Sequence, residues 1–349
     1  MTELDLPLAY YVFFAFIFGL LIGSFLNVVI HRVPRARSIV FPGSHCPACG
    51  KAISPLDNIP LLSYALLRGR CRNCKTSISL VYPLVELLVA LLFVAIIYKT
   101  GPNREALLEM AFASIMLTLV FIDGRHLLLP NAVTYPGFIF AIAAATLRGG
   151  WGMVMDSELL LTTAGFIPWR AALFGGLLLA LAAAGFRLLD RLDLILFNKY
   201  LEWAEMNDEE QEDSSRQPRA AMIIGFLLAA IWVIAVIKFS PAGFDFQEAY
   251  NSLLLASLGA LFGGGVLWGL RALYFYVRGS EGMGLGDVKM MAICGAFLGW
   301  RGVIFVMLIS SVLGVVAGII LAIRSKRGLK TVLPYGVFLG IASLIVLLI

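Results

Sequence analysis

Two aspartates have neighbours that suggest a chemical role. Asp123 ends a hydrophobic stretch in Phe121-Ile122-Asp123-Gly124-Arg125, and Asp287 follows another in Gly284-Leu285-Gly286-Asp287. Ionisable groups beside lipid are costly and usually serve a function. Two close carboxylates cannot both ionise easily, so one keeps a proton and can act as an acid while the other acts as a base. Asp123 and Asp287 are therefore predicted to form a catalytic pair suited to amide hydrolysis through an activated water.

The glycines before Asp287 support this interpretation. Gly284 and Gly286 lack side-chain bulk, which allows unusual backbone angles there and the close approach of an extended substrate. The simpler alternative makes the two aspartates ordinary loop acids that pair with neighbouring cations, Arg125 and Lys289. Hydrolysis by serine or cysteine has less support, because all three histidines fall in predicted interfacial loops, namely His31, His45 and His126.

Four of the five cysteines form two C-x-x-C pairs, Cys46/Cys49 and Cys71/Cys74. Each such turn offers two thiolates to one metal ion, and two turns complete a tetrahedral zinc site. Four thiolates leave no open coordination position, so the zinc would be structural. Two disulfides or a redox pair are the alternatives, and a cytoplasmic location argues against stable disulfides. His45 is interpreted as non-ligating and Cys294 as a small packing residue.

The composition is that of a membrane protein. Of the 349 residues, 60% are hydrophobic and only 14% are charged, against about 25% in soluble domains. Runs of about 18 or more apolar residues recur, and each could cross a bilayer core as a helix. We predict an all-α polytopic membrane protein with about 8–10 transmembrane helices and a small cytoplasmic zinc-ribbon-like module. The predicted spans are 8–30, 82–98, 106–122, 132–147, 171–187, 220–237, 252–277, 288–300, 303–323 and 332–349.

Charge predicts the orientation of these spans. Segment 31–81 has one acid, Asp57, against many bases: Arg32, Arg35, Arg37, Lys51, Arg68, Arg70, Arg72 and Lys75. Such loops stay on the cytoplasmic side. Counting spans from this segment puts both aspartates on that side as well. The net charge of +5 then reflects the loops beside the lipid bilayer, and a nucleic-acid partner is not expected.

The chain divides into five predicted regions. The acidic N-terminus has no basic segment before its first apolar run, so it is not interpreted as a cleavable signal. The acidic stretch 202–219 has no apolar period and is interpreted as a solvated linker. The regions are a first transmembrane helix at 1–30, the four-cysteine module at 31–81, helices with the first aspartate at 82–147, an inserted region with two extra spans and the linker at 148–251, and C-terminal helices with the G-x-G-D motif at 252–349.

Several motifs, in order along most of the chain, resemble the type IV prepilin peptidases. That family comprises bifunctional leader peptidases and N-methyltransferases of the G-x-G-D aspartyl protease group. The matching segments are 23–34, both C-x-x-C pairs, Asp57-Asn58-Ile59-Pro60, Tyr82-Pro83-Leu84-Val85-Glu86, Asp123 to Pro130-Asn131, Gly284-Leu285-Gly286-Asp287 and Leu333-Pro334-Tyr335-Gly336.

The resemblance implies a function that composition does not. Asp123 and Asp287 match the family's catalytic aspartates, and the four cysteines match its zinc ligands. The substrates would be the basic N-terminal leaders of type IV prepilins or type II secretion pseudopilins. Cleavage would follow a glycine at the cytoplasmic face of the bacterial inner membrane, and the new N-terminus would be methylated from S-adenosylmethionine. A glycine-rich nucleotide loop after a strand is not visible, so the motifs do not place the methyl donor.

The chain also departs from the family pattern. Family members have fewer spans, which is why 148–251 is interpreted as an insertion. Val81-Tyr82-Pro83 stands where the family often has Arg-Tyr-Pro. Glu86 is a candidate functional acid, and a structural role in capping that interface fits equally well. Two other classes of function are open at this point: an ion transporter that uses intramembrane acids, and a non-catalytic scaffold of a secretion or pilus machine that binds through the zinc module.

Overall fold

The computed structural model describes residues 7–150, 245–279, 282–324 and 333–349. The regular structure in these ranges is helical, with two isolated β-bridges and no strand. The helices are α1 Leu8–Arg32, α2 Leu62–Leu66, α3 Val81–Thr100, α4 Arg104–His126, α5 Asn131–Gly150, α6 Phe246–Arg278, α7 Leu285–Arg324 and α8 Tyr335–Leu348. They form two compact units, Met1–His126 with Leu347–Ile349, and Leu127–Val346. The predicted spans at 171–187 and 220–237 and the linker at 202–219 lie outside the described residues.

Six of the described helices are long and apolar enough to cross a membrane, namely α1, α3, α4, α5, α6 and α7. The outer face of α1 exposes large apolar side chains, as expected for contact with lipid: Phe13, Phe14, Phe18, Leu21 and Phe25. The predicted all-α multi-pass membrane fold is confirmed.

In the first unit, α1 packs closely against α3 through two glycines one turn apart. A Cβ atom on Gly19 would lie 2.5 Å from the Cα atom of Ala90, and one on Gly23 would lie 2.6 Å from the Cα atom of Glu86. Small residues four apart let membrane helices approach to backbone contact. This crossing holds Glu86 directly against α1.

In the second unit, α6 packs against α5 and α7, again at glycines. A Cβ atom on Gly295 of α7 would lie 2.1 Å from the backbone oxygen of Gly259 on α6. We expect Gly295→Ala to lower the melting temperature of the purified protein in detergent, with a cost of about 1–3 kcal/mol for the overpacked contact. Gly265→Ala is the matched control, because a Cβ atom there meets nothing within 4 Å. Equal melting temperatures for the two variants would contradict the close contact.

Helix α7 contains a break. Its 40 residues would make a straight rod of about 60 Å, twice the thickness of a bilayer core. Gly299, with φ 73° and ψ 176°, is not helical and separates two helical segments. The break agrees with the predicted boundary between spans 288–300 and 303–323.

Candidate functional site

The first C-x-x-C pair forms a tight turn. The Gly50 N–H donates to the Cys46 carbonyl over 2.8 Å, and the Cys46 N–H donates to the Lys51 carbonyl over 2.9 Å. Gly50 has a φ of 69°, which glycine adopts at little cost. Gly50 therefore suits the tight turn that holds the first cysteine pair.

The second pair repeats the same turn. The Lys75 N–H donates to the Cys71 carbonyl over 3.0 Å, and the Cys71 N–H donates to the Thr76 carbonyl over 2.9 Å. An antiparallel bridge flanks each turn, between His45 and Ala52 in the first and between Arg70 and Ser77 in the second. The two turns thus present their cysteines in the same way.

The four cysteine sulfurs lie together. All four Sγ atoms are within 4.8 Å of one another, and those of Cys46 and Cys74 are 3.8 Å apart. Zinc–sulfur bonds of about 2.3 Å in a tetrahedron put sulfurs about 3.8 Å apart, so the cluster fits zinc. Hydrogen bonds from the Thr76 side chain and backbone lower the pKa of the Cys74 thiol to about 6, whereas desolvation and the neighbouring cysteine sulfurs raise the pKa of the Cys49 thiol to about 11. A bound cation would favour the thiolate form of all four cysteines. Nδ1 of His45 lies 3.0 Å from the Gly43 carbonyl.

Lys75 occupies the position that Gly50 holds in the first turn, with a φ of 61°. A side chain in this region of backbone space costs about 1 kcal/mol. We expect Lys75→Gly to stabilise the module by about that amount, so that more chelator is needed to remove its metal. Lys51→Gly, in the other turn, is the control and should bring no gain. A Lys75→Gly protein that loses metal more easily would contradict this account.

An ion pair joins the second C-x-x-C turn to the segment that lies between the two C-x-x-C turns. Arg72 donates from Nε and Nη2 to the two carboxylate oxygens of Asp57, over 2.8 and 2.6 Å. These hydrogen bonds lower the pKa of the Asp57 carboxyl. The short 3-10 helix that carries Asp57, Pro55–Asn58, is thereby fixed beside the cysteines. The sequence marked Asp57 as part of a motif but gave it no role.

The sequence left open whether Glu86 is a functional acid or caps the interface at the start of α3, and the structure shows a capping contact. Its Oε2 atom accepts a hydrogen bond of 2.9 Å from the backbone N–H of Leu61, immediately before α2. On α1, the Asn27 side chain donates to the Tyr82 carbonyl over 3.0 Å. Both side chains are buried. The start of α3 is therefore tied to α1 and to the loop between the cysteine turns.

Asp123 lies in the last turn of α4 and is only 5% exposed. Arg35, which follows α1, is close enough to His126 to act on it electrostatically, so α4 ends near the end of α1. The next residue, Leu127, has a φ of 53°, which ends the helix. Within the first unit, Asp123 therefore lies toward the end from which the cysteine module emerges.

Asp287 lies in the first turn of α7 and is 8% exposed. A helix N-terminus favours a negative charge. Two residues on, the buried Lys289 donates from Nζ to the Asn131 side-chain oxygen over 2.9 Å, and its Nζ is 5.3 Å from the centroid of the Tyr135 ring. Lys289 thus links the G-x-G-D motif to the start of α5, a contact that the sequence did not reveal.

The G-x-G-D glycines differ from the prediction. Neither Gly284 nor Gly286 has a positive φ, so the backbone freedom that glycine allows is not used at these two positions. A Cβ atom on Gly286 would lie 2.7 Å from the Cβ atom of Leu129, whereas one on Gly284 would meet atoms only at ordinary contact distance. Gly286 is required by close packing against the segment that precedes α5, and Gly284 leaves space beside Asp287.

The structure thus assembles the predicted residues within each unit. The four cysteines come together in the first unit, which also contains Asp123. Asp287 lies in the second unit with Gly284 and Gly286. The convergence of the two aspartates stays a prediction.

Comparisons with known proteins agree on one family. Residues 17–100 match the bacterial peptidase A24 N-terminal domain, and residues 220–319 match the type IV leader peptidase family. No solved structure matches the chain significantly.

Curated proteins named prepilin leader peptidase/N-methyltransferase extend this match over nearly the whole chain. The protein from Aeromonas hydrophila is 31% identical over 95% of this chain and 89% of its own length. The one from Pseudomonas putida is 28% identical over 99% and 93%, and the one from Myxococcus xanthus is 47% identical over 42% and 44%. The chain therefore belongs to the type IV leader peptidase family and is a membrane-embedded peptidase.

Proposed function

We propose that this enzyme cleaves the leader peptides of type IV prepilins or pseudopilins with Asp123 and Asp287 as its catalytic pair. The observation that carries the proposal is that both side chains are buried, 5% and 8% exposed, at the ends of apolar helices. A buried acid in a membrane helix is costly to keep and marks a functional site by default. The names of the curated relatives supply the substrate class.

The reaction needs an acid and a base, and two carboxylates that share one proton provide both. The ionised aspartate takes a proton from a water molecule, whose oxygen attacks the carbonyl carbon of the scissile peptide bond. The protonated aspartate then gives its proton to the leaving amide nitrogen as the carbon–nitrogen bond breaks. The pair titrates as one unit, so the two roles belong to the dyad. Gly284 has no side chain to stand beside Asp287, which allows the backbone of an extended leader to approach that carboxylate.

The site faces the cytoplasm of the bacterial inner membrane. Segment 31–81 follows the first span and is strongly basic, with Asp57 as its one acid, which favours retention on the cytoplasmic side. Asp123 lies toward the same end of the first unit. The hydrophobic helix of the pilin enters from the bilayer, and its basic leader extends along the cytoplasmic surface to the aspartates.

Each region of the chain has its own role in this proposal. The 31–81 module holds structural zinc on Cys46, Cys49, Cys71 and Cys74, whose sulfur cluster fits the ion. Residues 82–147 and 252–349 bring one aspartate each. Residues 148–251 form an inserted region, most of it outside the described residues.

The enzyme also methylates the N-terminus that cleavage releases. Relatives that share nearly the whole chain carry this second activity in their names. S-adenosylmethionine, when bound, supplies an electrophilic methyl group. The protein must hold the new N-terminus in its neutral form beside that methyl group and keep the competing water out.

One experiment tests both steps. Membranes that contain the enzyme are incubated with a prepilin and S-adenosylmethionine, and mass spectrometry reads the product. We expect loss of the leader together with the mass of one methyl group. An intact prepilin, with the enzyme shown to be inserted in the membrane, would overturn the proposed peptidase activity.

A further inference from the structure

A buried arginine lies inside a membrane-length helix of the second unit. Arg271 belongs to α6, is only 4% exposed, and falls within the apolar span Gln247–Arg278. It precedes the last residue of that helix by two turns, which places it about 10 Å along the axis from the helix end. A guanidinium at this depth is costly and marks a functional position by default.

The chain that follows α6 turns back along this helix. A Cβ atom on Gly282 would lie 2.5 Å from the ring of Tyr274. One residue later, the Met283 carbonyl accepts a hydrogen bond of 2.9 Å from Nε of Arg271. Tyr274 and Arg271 are one helical turn apart, so successive residues of the returning chain meet successive turns of α6. The G-x-G-D motif, which begins at Gly284, therefore starts beside the interior of α6.

The returning chain needs hydrogen-bond donors at this depth. Gly282 and Met283 are not helical. Backbone carbonyls inside a bilayer must be satisfied by the protein, because water is scarce there. Arg271 supplies such a donor to the Met283 carbonyl, and a hydrogen bond from a charged donor is stronger than one between neutral groups. An apolar side chain at this position would leave the carbonyl without that donor.

Two hydrogen bonds connect the guanidinium to the first turn of α7. Arg271 holds the Met283 carbonyl, and the next carbonyl, that of Gly284, accepts from the N–H of Asp287 over 3.3 Å. The two carbonyls belong to adjacent planar peptide groups, so fixing one restricts the orientation of the other. On the other side of Asp287, the hydrogen bond from Lys289 ties the same turn to α5. The aspartate is thus anchored on both sides.

We propose that Arg271 is a positioning residue that fixes Asp287 for the cleavage step. The inference rests on the proposed function, in which Asp287 is one of the two catalytic aspartates. Arg271 acts through the Met283 carbonyl and takes no part in proton transfer. A displacement of about 1 Å at a reacting group can cost about 10²-fold in rate. Loss of this anchor should therefore slow cleavage without weakening the binding of the leader.

Arg271→Met tests the anchor, because methionine is apolar and has no donor for the carbonyl. Single-turnover cleavage is measured with the enzyme in saturating excess over the prepilin, so that an inactive fraction of enzyme leaves the rate constant unchanged. We expect this rate constant to fall about 10²-fold, while the enzyme concentration that half-saturates it stays near that of the wild type. Arg278→Met, at the exposed end of the same helix, is the control and should cleave at the wild-type rate. A wild-type rate constant in Arg271→Met would overturn the inference.

Arg271→Lys decides the question if the methionine variant does not fold, which melting in detergent shows. Lysine keeps a charged donor, but its ammonium lies one bond farther along the side chain than Nε and lacks the fixed plane of the guanidinium. We expect a rate constant about tenfold below that of the wild type and above that of Arg271→Met. A lysine variant at the wild-type rate, or one no faster than a folded methionine variant, would overturn the inference.

Failure of the proposed function has a different signature. A wild-type enzyme that leaves the prepilin intact, or an Asp287→Asn variant that cleaves it, would count against the catalytic pair. Normal cleavage by the wild type, loss of cleavage in Asp287→Asn and an unchanged rate constant in the Arg271 variants would count against the anchor alone. The two failures are therefore distinguishable.

Discussion

Asp123→Asn and Asp287→Asn should each abolish leader cleavage while the protein still inserts in the membrane. Loss of a general acid or base costs about 10²–10⁴ in rate. Asparagine keeps the size of the side chain but neither takes nor gives the proton. Because the two carboxylates act as one unit, the double variant should be little worse than either single variant. The rates are measured from the fraction of prepilin cleaved over time in membranes with equal enzyme content.

Two further variants make this test specific. Glu105→Gln removes an acid from the start of α4 and should cleave normally. Glu86→Gln should also cleave, because Glu86 is not part of the proposed catalytic pair and lines a cavity that neither aspartate lines. Wild-type processing by either aspartate variant would refute the dyad. A non-catalytic scaffold would keep its function in both aspartate variants, whereas an ion transporter would lose flux without any change in the length of the pilin.

Features with a strong local cause could be predicted from the sequence. Apolar runs of sufficient length can only be helices in lipid, so each predicted span on described residues falls on an apolar helix. The spans 288–300 and 303–323 both fall on α7, and 332–349 falls on α8, which has only 14 residues. The spacing of the cysteines was sufficient to predict the four-sulfur cluster. The sequence placed a boundary between spans 288–300 and 303–323, and the chain leaves the helical conformation close to it, at Gly299.

Features that depend on tertiary packing could not be predicted. Nothing local to Gly286 shows that Leu129 lies against it, so its packing role was not predicted. The left-handed conformation of Lys75 follows from the geometry of its turn and contradicts the preference of its residue type. The Lys289–Asn131 hydrogen bond and the Leu61–Glu86 hydrogen bond join segments far apart in sequence. These contacts become visible only in the folded structure.

The second large effect concerns the metal. Serine in place of Cys46, Cys49, Cys71 or Cys74 should reduce the zinc content of the purified protein from one equivalent toward none. Structural zinc contributes about 10–16 kcal/mol to the folding of small modules, so a segment with few buried apolar residues should unfold without it. Elemental analysis measures the zinc, and limited proteolysis of membranes should show new cuts between residues 31 and 81.

Cys294→Ser is the matched control, since Cys294 is a buried thiol of α7 outside the cluster. The Cys294→Ser protein should keep its zinc and its resistance to protease. Wild-type protein free of zinc, or a Cys71→Ser variant that keeps a full equivalent, would refute the site.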